Sequence, residues 1–263
     1  MQFSEILSSV AADGDSQFRI TVTEDWGQGR ATFGGLVAAA GNEAMRRVVP
    51  PDRPLRSLQT TFVGPAGAGT WSLRTRVLRV GKAVTLAHCD ILDGGQVAAI
   101  QVGVYGLARQ SLVTVKPPVT ESPRKIEEIN EVRFQPERAP PFLQHFAHRW
   151  ARGAKPYSGT RSNTICFIRH RDPSPLSESH VVALVDCIPS PALSMLTAPA
   201  PASSMVWNLE FFEHEYGFGP DQWWRIDTDI DAATEGYVNQ TGLLVDPTGR
   251  PVALSRQVFA VFG

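Results

Sequence analysis

The sequence predicts an α+β fold built from two copies of one unit, each a curled antiparallel sheet around a central helix. Three observations carry that expectation. A helical pattern of unusually small residues over 30–49 is closed by Pro50-Pro51. Strand-like runs follow it, joined by turns too short for crossover helices. The same order of elements then returns in the second half of the chain.

Residues 17–24 alternate apolar and polar side chains as a half-buried strand does. Asp25-Trp-Gly-Gln-Gly29 turns the chain into the helix. There Leu36, Val37, Ala40, Gly41, Ala44, Met45 and Val48 recur at three-and-four spacing, leaving Glu43, Arg46 and Arg47 for the wet side. Ala38, Ala39, Ala40, Gly41 and Ala44 let other chain segments come close all round, which suits a helix wrapped by a sheet. Thr32 is the expected cap, and the two prolines end the helix. Gly34 and Gly35 fall in its first turn, where backbone N–H groups lack internal partners and the dipole favours negative charge. A ligand carbonyl or phosphate oxygen could approach there; tight packing against a strand would explain the glycines equally well.

Four strand runs come next, Leu55 to Val63, Thr70 to Val80, Ala83 to Leu92 and Gln96 to Leu107, separated by glycine-rich turns. Residues 109–140 are rich in proline and charge and read as a surface connector. Beyond it, Phe142 to Arg149 and Asn163 to His170 read as strands. Ser179 to Leu196 reads as a helix interrupted by Pro189 and Pro191. Strands are expected again at Ser203–Phe212, Trp223–Ala232, Glu235–Val245 and Val252–Phe262. The last hairpins match: Asp93-Gly-Gly-Gln-Val-Ala-Ala with Val-Tyr-Gly106, and Asp246-Pro-Thr-Gly-Arg-Pro-Val-Ala-Leu with Val-Phe-Gly263. Residues 1–108 and 141–263 are therefore expected to be the two copies, with a ligand cleft between them.

At 263 residues the chain can bury a core without disulfide or metal staples. Its 25 Lys and Arg nearly cancel 26 Asp and Glu, so no global field attracts nucleic acid or an anionic membrane. Cys89, Cys166 and Cys187 lack zinc-ligand spacing and leave an odd count for disulfides, which points to the cytoplasm. The first residues lack the basic start and long apolar run of an export signal, and no stretch approaches the ~20 apolar residues of a membrane span. The six histidines show no metal-ligand spacing, and no Gly-x-Ser-x-Gly elbow supports a serine nucleophile. Trp207, Trp223 and Trp224 suit core packing more than the wall of an acyl tunnel.

Taken in order, several segments resemble the double hot-dog acyl-CoA thioesterases of the bacterial thioesterase II type and their peroxisomal relatives. They are Gly29-Arg-Ala-Thr-Phe-Gly-Gly35, Ser57-Leu-Gln-Thr-Thr-Phe-Val-Gly-Pro65, Cys166-Phe-Ile-Arg169 with Val185-Asp186, Ser203-Ser204 with Phe211-Phe212, and Gln257. The resemblance implies that Asp186, Ser204 and Gln257 jointly orient a water that attacks a thioester carbonyl. It also implies an acyl-CoA substrate, no metal or redox cofactor, and a backbone N–H at Gly34-Gly35 that polarises the thioester oxygen. The chain departs from the family pattern just after the serine, where Val206-Trp207 replaces an Asp-His pair.

Each candidate also has an ordinary reading. Asp186 follows the apolar run 181–185 and could act as base, cap backbone or pair with an arginine. Gln257 could hold a water, since an amide both donates and accepts, or stand exposed on a strand. Ser203 and Ser204 point to opposite strand faces, so only one can reach a site. The expected function is acyl-CoA thioester hydrolysis by a homodimer or higher homo-oligomer. The Val206-Trp207 departure motivates the alternative of a non-catalytic acyl-CoA or acyl-chain binding protein; a hydratase would need an Asp/His signature that is not found.

Overall fold

The computed structural model describes residues 1–262, so the Gly263 of the second hairpin motif lies outside the described residues. The first half runs α1 (Phe3–Ser8), β1 (Gln17–Val22), α2 (Gly34–Arg46), then β2 (Leu55–Phe62), β3 (Gly69–Val80), β4 (Val84–Asp93) and β5 (Gln96–Gly106). The second runs β6 (Phe146–Arg152), β7 (Thr164–His170), α3 (Glu178–Val185), then β8 (Ala202–Phe211), β9 (Trp224–Thr234), β10 (Tyr237–Val245) and β11 (Pro251–Val261). These eleven strands and a two-residue strand at Ala11–Ala12 form one 12-stranded sheet whose pairings are antiparallel. From the centre outward one half reads β2-β5-β4-β3-β1 and the other β8-β11-β10-β9-β7. These are the same path. Even the edges agree, because a two-residue strand at Ala11–Ala12 flanks β1 as β6 flanks β7.

The halves share their irregularities as well. Register shifts fall between Val77 and Arg79 on β3 and between Ile230 and Ala232 on β9. Others separate Ile91 from Leu92 on β4 and Leu244 from Val245 on β10. The last pair separates Leu55 from Ser57 on β2 and Ser204 from Val206 on β8. Bulges re-aim side chains and seldom arise twice at one place by chance. Superposing them equates Arg74 with Asp227, Arg76 with Asp229, Leu55 with Ser204, and Gly103 with Gln257. The halves meet where β2 pairs with β8, Thr60 opposite Trp207. The two central helices pack on each other beneath that seam.

Burial explains the small residues of α2. Gly35 through Asn42, then Ala44 and Met45, are buried, so nearly the whole circumference is enclosed. The helix starts later than the sequence pattern suggests. Ala31–Thr32 pairs with Gly27–Gln28 in a tight hairpin that turns at Gly29 (φ 67°), and Thr32 gives its N–H to Ala66. Thr32 is thus spent on a strand, and the cap position falls to Phe33, whose side chain cannot cap. Arg46, expected in water, is half-buried and pairs with Glu178 of α3. The predicted helix 179–196 is broken as the prolines require: α3 ends at Val185, and Pro191–Met195 forms a separate 3-10 turn capped by Ser190. Likewise Pro141–His145 is a 3-10 turn, so the strand expected from Phe142 begins only at Phe146. No described helix is long and apolar enough to cross a membrane.

Candidate active site

The site is assembled where α3 ends against the start of α2. Asp186 is the residue after α3, with φ −103° and ψ 0°, and its N–H still bonds Ala183 O at 3.2 Å. Pro189 stands too close for the helix to continue. From β6, His148 Nε2 donates to Cys187 O at 3.0 Å and fixes the turn that carries Asp186. The carboxylate faces the first turn of α2 and accepts the Gly35 N–H. A Cβ at Gly34 would lie 2.8 Å from Asp186 Oδ2 and 3.3 Å from the Phe62 ring. At Gly35 it would meet Phe33 at 2.4 Å and Ala183 O at 3.0 Å. Both positions exclude side chains for steric reasons. Among the described residues no acceptor takes the Gly34 N–H, and Gly34 is partly open to solvent.

Gln257 reaches the same carboxylate from β11. It is buried, 8% exposed, and its Nε2 donates to Asp186 Oδ1 at 3.2 Å and to Ser204 Oγ at 3.0 Å. One amide nitrogen thereby uses both hydrogens to tie the acid to the alcohol. The bulge beside Ser204 lets this residue turn inward, while Ser203 is exposed. Ser204 Oγ accepts from Gln257 and keeps its own hydrogen to donate. The structure thus brings Asp186, Gln257, Ser204 and Gly35 together. It turns the Gly35 donor, expected to face a ligand, onto Asp186.

Electrostatics follow from placement. Burial pushes the Asp186 carboxyl up to about 7, against the lowering effect of the Gln257 and Gly35 hydrogen bonds. Lying at the negative end of α3 opposes ionisation, and facing the positive end of α2 favours it. The residue keeps some contact with solvent. A carboxyl that titrates near neutral pH has the proton affinity general-base chemistry requires. Trp207, the departure from the family pattern, sits opposite Gln257 in the β8–β11 ladder, buried, with Nε1 donating to Ser255 Oγ at 2.9 Å.

The mirrored junction, where α2 meets the start of α3, is closed. Asn42 takes the place of a carboxylate: its Nδ2 donates to Glu178 Oε1 at 3.0 Å and to Ser179 Oγ at 3.2 Å. Its Oδ1 accepts from Tyr105 OH at 2.9 Å. Gly103 and Leu55 stand where Gln257 and Ser204 would be, and the Tyr105 ring fills the space beside Gly103, 2.7 Å from a Cβ built there. The six histidines do not gather into one centre. His170 Nε2 donates to His180 O at 2.9 Å, both rings lie against Phe3, and His88, His145 and His214 are bound separately. Sequence reasoning missed His148 and Phe62, because a lone histidine and a strand-end phenylalanine carry no local signature.

A carboxylate, an amide and a hydroxyl meet beneath a helix-wrapping double sheet, the architecture of a hot-dog protein. The comparisons with known proteins add the family. Residues 22–106 match the family described as the acyl-CoA thioesterase N-terminal domain, and residues 123–261 match the acyl-CoA thioesterase C-terminal domain. The chain belongs to the acyl-CoA thioesterase family. No curated protein matches it. Among solved structures it is similar to a hot-dog protein of unknown function from Alicyclobacillus acidocaldarius, with TM-score 0.87 and 19% identity over 99% of this chain and 98% of that one. It is also similar to acyl-CoA thioesterase II TesB2 from Mycobacterium marinum, with TM-score 0.79 and 18% identity over 99% and 98%. A third is the tesB protein MAP1729c of Mycobacterium avium subs paratuberculosis, with TM-score 0.81 and 13% identity over 100% of both chains. At such identities these likenesses speak for the fold alone.

Proposed function

We propose that this chain hydrolyses acyl-CoA thioesters, and the observation that carries the reading is the Asp186–Gln257–Ser204 constellation at the α2 start. A water sits between Asp186 and Ser204, and its oxygen attacks the thioester carbon as Asp186 takes its proton. The carbonyl oxygen becomes an anion that accepts the Gly34 N–H, the backbone donor left unused by Asp186. Collapse breaks the C–S bond, and the coenzyme A thiolate leaves with the proton that Asp186 held. Water, the Asp186 carboxylate and the Gly34 N–H carry these steps, and the Gly35 N–H keeps the carboxylate in place. Turnover across a series of acyl-CoA lengths tests the proposal: release of free thiol that is lost in Asp186→Asn supports it.

The second reading is an acyl-CoA or acyl-chain binding protein, favoured by the indole of Trp207 where an ionisable pair is the family's habit. Binding by calorimetry with no turnover on any acyl-CoA would select it. In either reading we place the protein in the cytoplasm, where its three free cysteines remain reduced. We further propose that 1–108 and 141–263 are its two domains, that 109–140 connects them, and that the chain works as a homo-oligomer.

A further inference from the structure

We propose that the cavity beside the hairpin before α2 receives the pantetheine arm of coenzyme A, with Arg30 placed to meet the phosphate at the arm's far end. The inference rests on the hydrolysis reading and names the part of the substrate that leads into that site. The cavity holds about 400 Å³ between the hairpin of Gly27–Gln28 with Ala31–Thr32 and the Gly67-Ala68 turn, and Glu24 and Arg30 complete its walls. It opens beside the reaction site. Thr32 lines it, and Gly34, whose N–H meets the thioester oxygen in the reading above, is two residues further along the chain.

The walls are already fixed. Thr32 donates its N–H to Ala66 O at 2.7 Å, Asp93 Oδ2 accepts the Gly67 N–H at 2.8 Å, and Trp71 Nε1 donates to Gly67 O at 2.8 Å. A wall held in this way loses little freedom when a ligand arrives, which favours binding. Gly27, Gly29 and Gly67 leave much of the surface as bare backbone, which a thin chain carrying amides can approach closely. Glu24 precedes the hairpin and offers an acceptor to an amide N–H of the arm, while Arg30 stands at the hairpin tip. Among the described residues neither Glu24 nor Arg30 forms an ion pair, so each keeps its charge for a ligand.

Length decides between this cavity and a more basic one. Arg30 precedes Gly34 by four residues, at most roughly 14 Å of extended chain, and a phosphopantetheine arm extended to the same degree spans roughly 15 Å from sulfur to phosphorus. The second cavity, lined by Arg79, Lys82 and Arg109, lies at the other end of α2. There Arg46, the last residue of the helix, donates to Arg53 O, and Arg53 donates to Gly81 O. The 13 residues of α2 put that end roughly 20 Å from Gly34, beyond the reach of the arm.

Acyl thioesters of phosphopantetheine and of pantetheine differ by that one phosphate, so turnover of both by the full chain tests this, with melting by circular dichroism as the folding control. The parent should favour the phosphorylated thioester, and Arg30→Gln should cut that preference roughly tenfold or more, read in KM. Ala68→Trp, at an exposed position of the cavity wall, should raise KM for both thioesters and weaken calorimetric binding of free coenzyme A. If the parent turns over acyl-CoA while Arg30→Gln keeps the full preference, or while Ala68→Trp binds coenzyme A as the parent does, the cavity assignment is overturned and the hydrolysis reading stands. A parent that binds coenzyme A, loses that binding in Ala68→Trp and hydrolyses no thioester overturns the hydrolysis reading and keeps the cavity.

Discussion

Replacing Asp186 by Asn should strengthen the fold and stop the chemistry. The folded carboxyl titrates at about 7, against an ordinary value of 3.8. That difference, roughly 3 pH units at about 1.4 kcal/mol each, sets a ceiling of about 4 kcal/mol on what the ionised group costs the folded state. One edge open to solvent reduces it, to about 2 kcal/mol. The folded state here binds the proton more tightly than the unfolded chain, so stability falls as pH rises from about 4 to about 7 and stays low above. Asn carries no charge at any pH and keeps an oxygen to accept the Gly35 N–H. The variant should therefore melt above the parent at pH 8 and with it at pH 4. Without a base, turnover should drop roughly 100-fold or more, and the parent's rise in rate through pH 7 should vanish. Melting curves and thiol release from pH 4 to 9, on the same preparations, decide the matter. A folded variant with parental turnover refutes the base assignment. A variant that melts lower at pH 8 refutes the burial argument.

Other outcomes follow from the same geometry. Gln257→Ala removes a donor that lowers the Asp186 value, so the midpoint of the pH–rate profile should move above its parental position, with turnover reduced about tenfold. Gly34→Ala must displace Asp186 Oδ2 or Phe62, and turnover should fall further than the roughly 1–3 kcal/mol loss of stability explains. Burial holds His148, His170 and His180 near 4, 3 and 4, below the usual 6.5. These depressed values make the folded state bind fewer protons, so stability is full above pH 6.5 and drains as pH falls towards 4. Tryptophan fluorescence should report acid unfolding in that window, and a His170→Phe variant should unfold at lower pH. A parent that stays folded at pH 3 would contradict this.

The periodic features were legible before any coordinates. Alternation along β3 to β5 and β9 to β11, the small residues of α2 and the matched hairpins fix the duplicated fold, because each reports local burial on one face. The element ends were less legible. Thr32 and Phe142 obey helix and strand patterns, yet Thr32 is drawn into a hairpin by Ala66 O, and Pro140-Pro141 turn the chain before Phe146. Asp186, Gln257 and Ser204 could be named only by resemblance. Their convergence depends on the β8 bulge and on where α3 stops, and neither leaves a mark within a few residues. Arg46 shows the limit from the other side: its charge says surface, but Glu178, 132 residues away, gives it a half-buried partner.

Duplication gave this chain two equivalent junctions between a helix start and a helix end, and among the described residues one of them holds the proposed Asp186–Gln257–Ser204 constellation. At the first, Gly34 leaves room for Asp186. At the second, Glu178 fills the corresponding space, pairs with Arg46 and accepts the Leu55 N–H at 2.9 Å. Leu55 is the structural counterpart of Ser204, so the backbone that would present an alcohol instead anchors a carboxylate. The second junction therefore binds the halves together through a half-buried ion pair whose disruption would strand a charge. This division constrains both halves. Gly34 and Gly35 come from the first, and Asp186, Ser204 and Gln257 from the second, so neither half holds the whole of the proposed constellation. Removing Glu178 could not open another one either, because Gly103 and Leu55 offer no side chain to hold a water where Gln257 and Ser204 do.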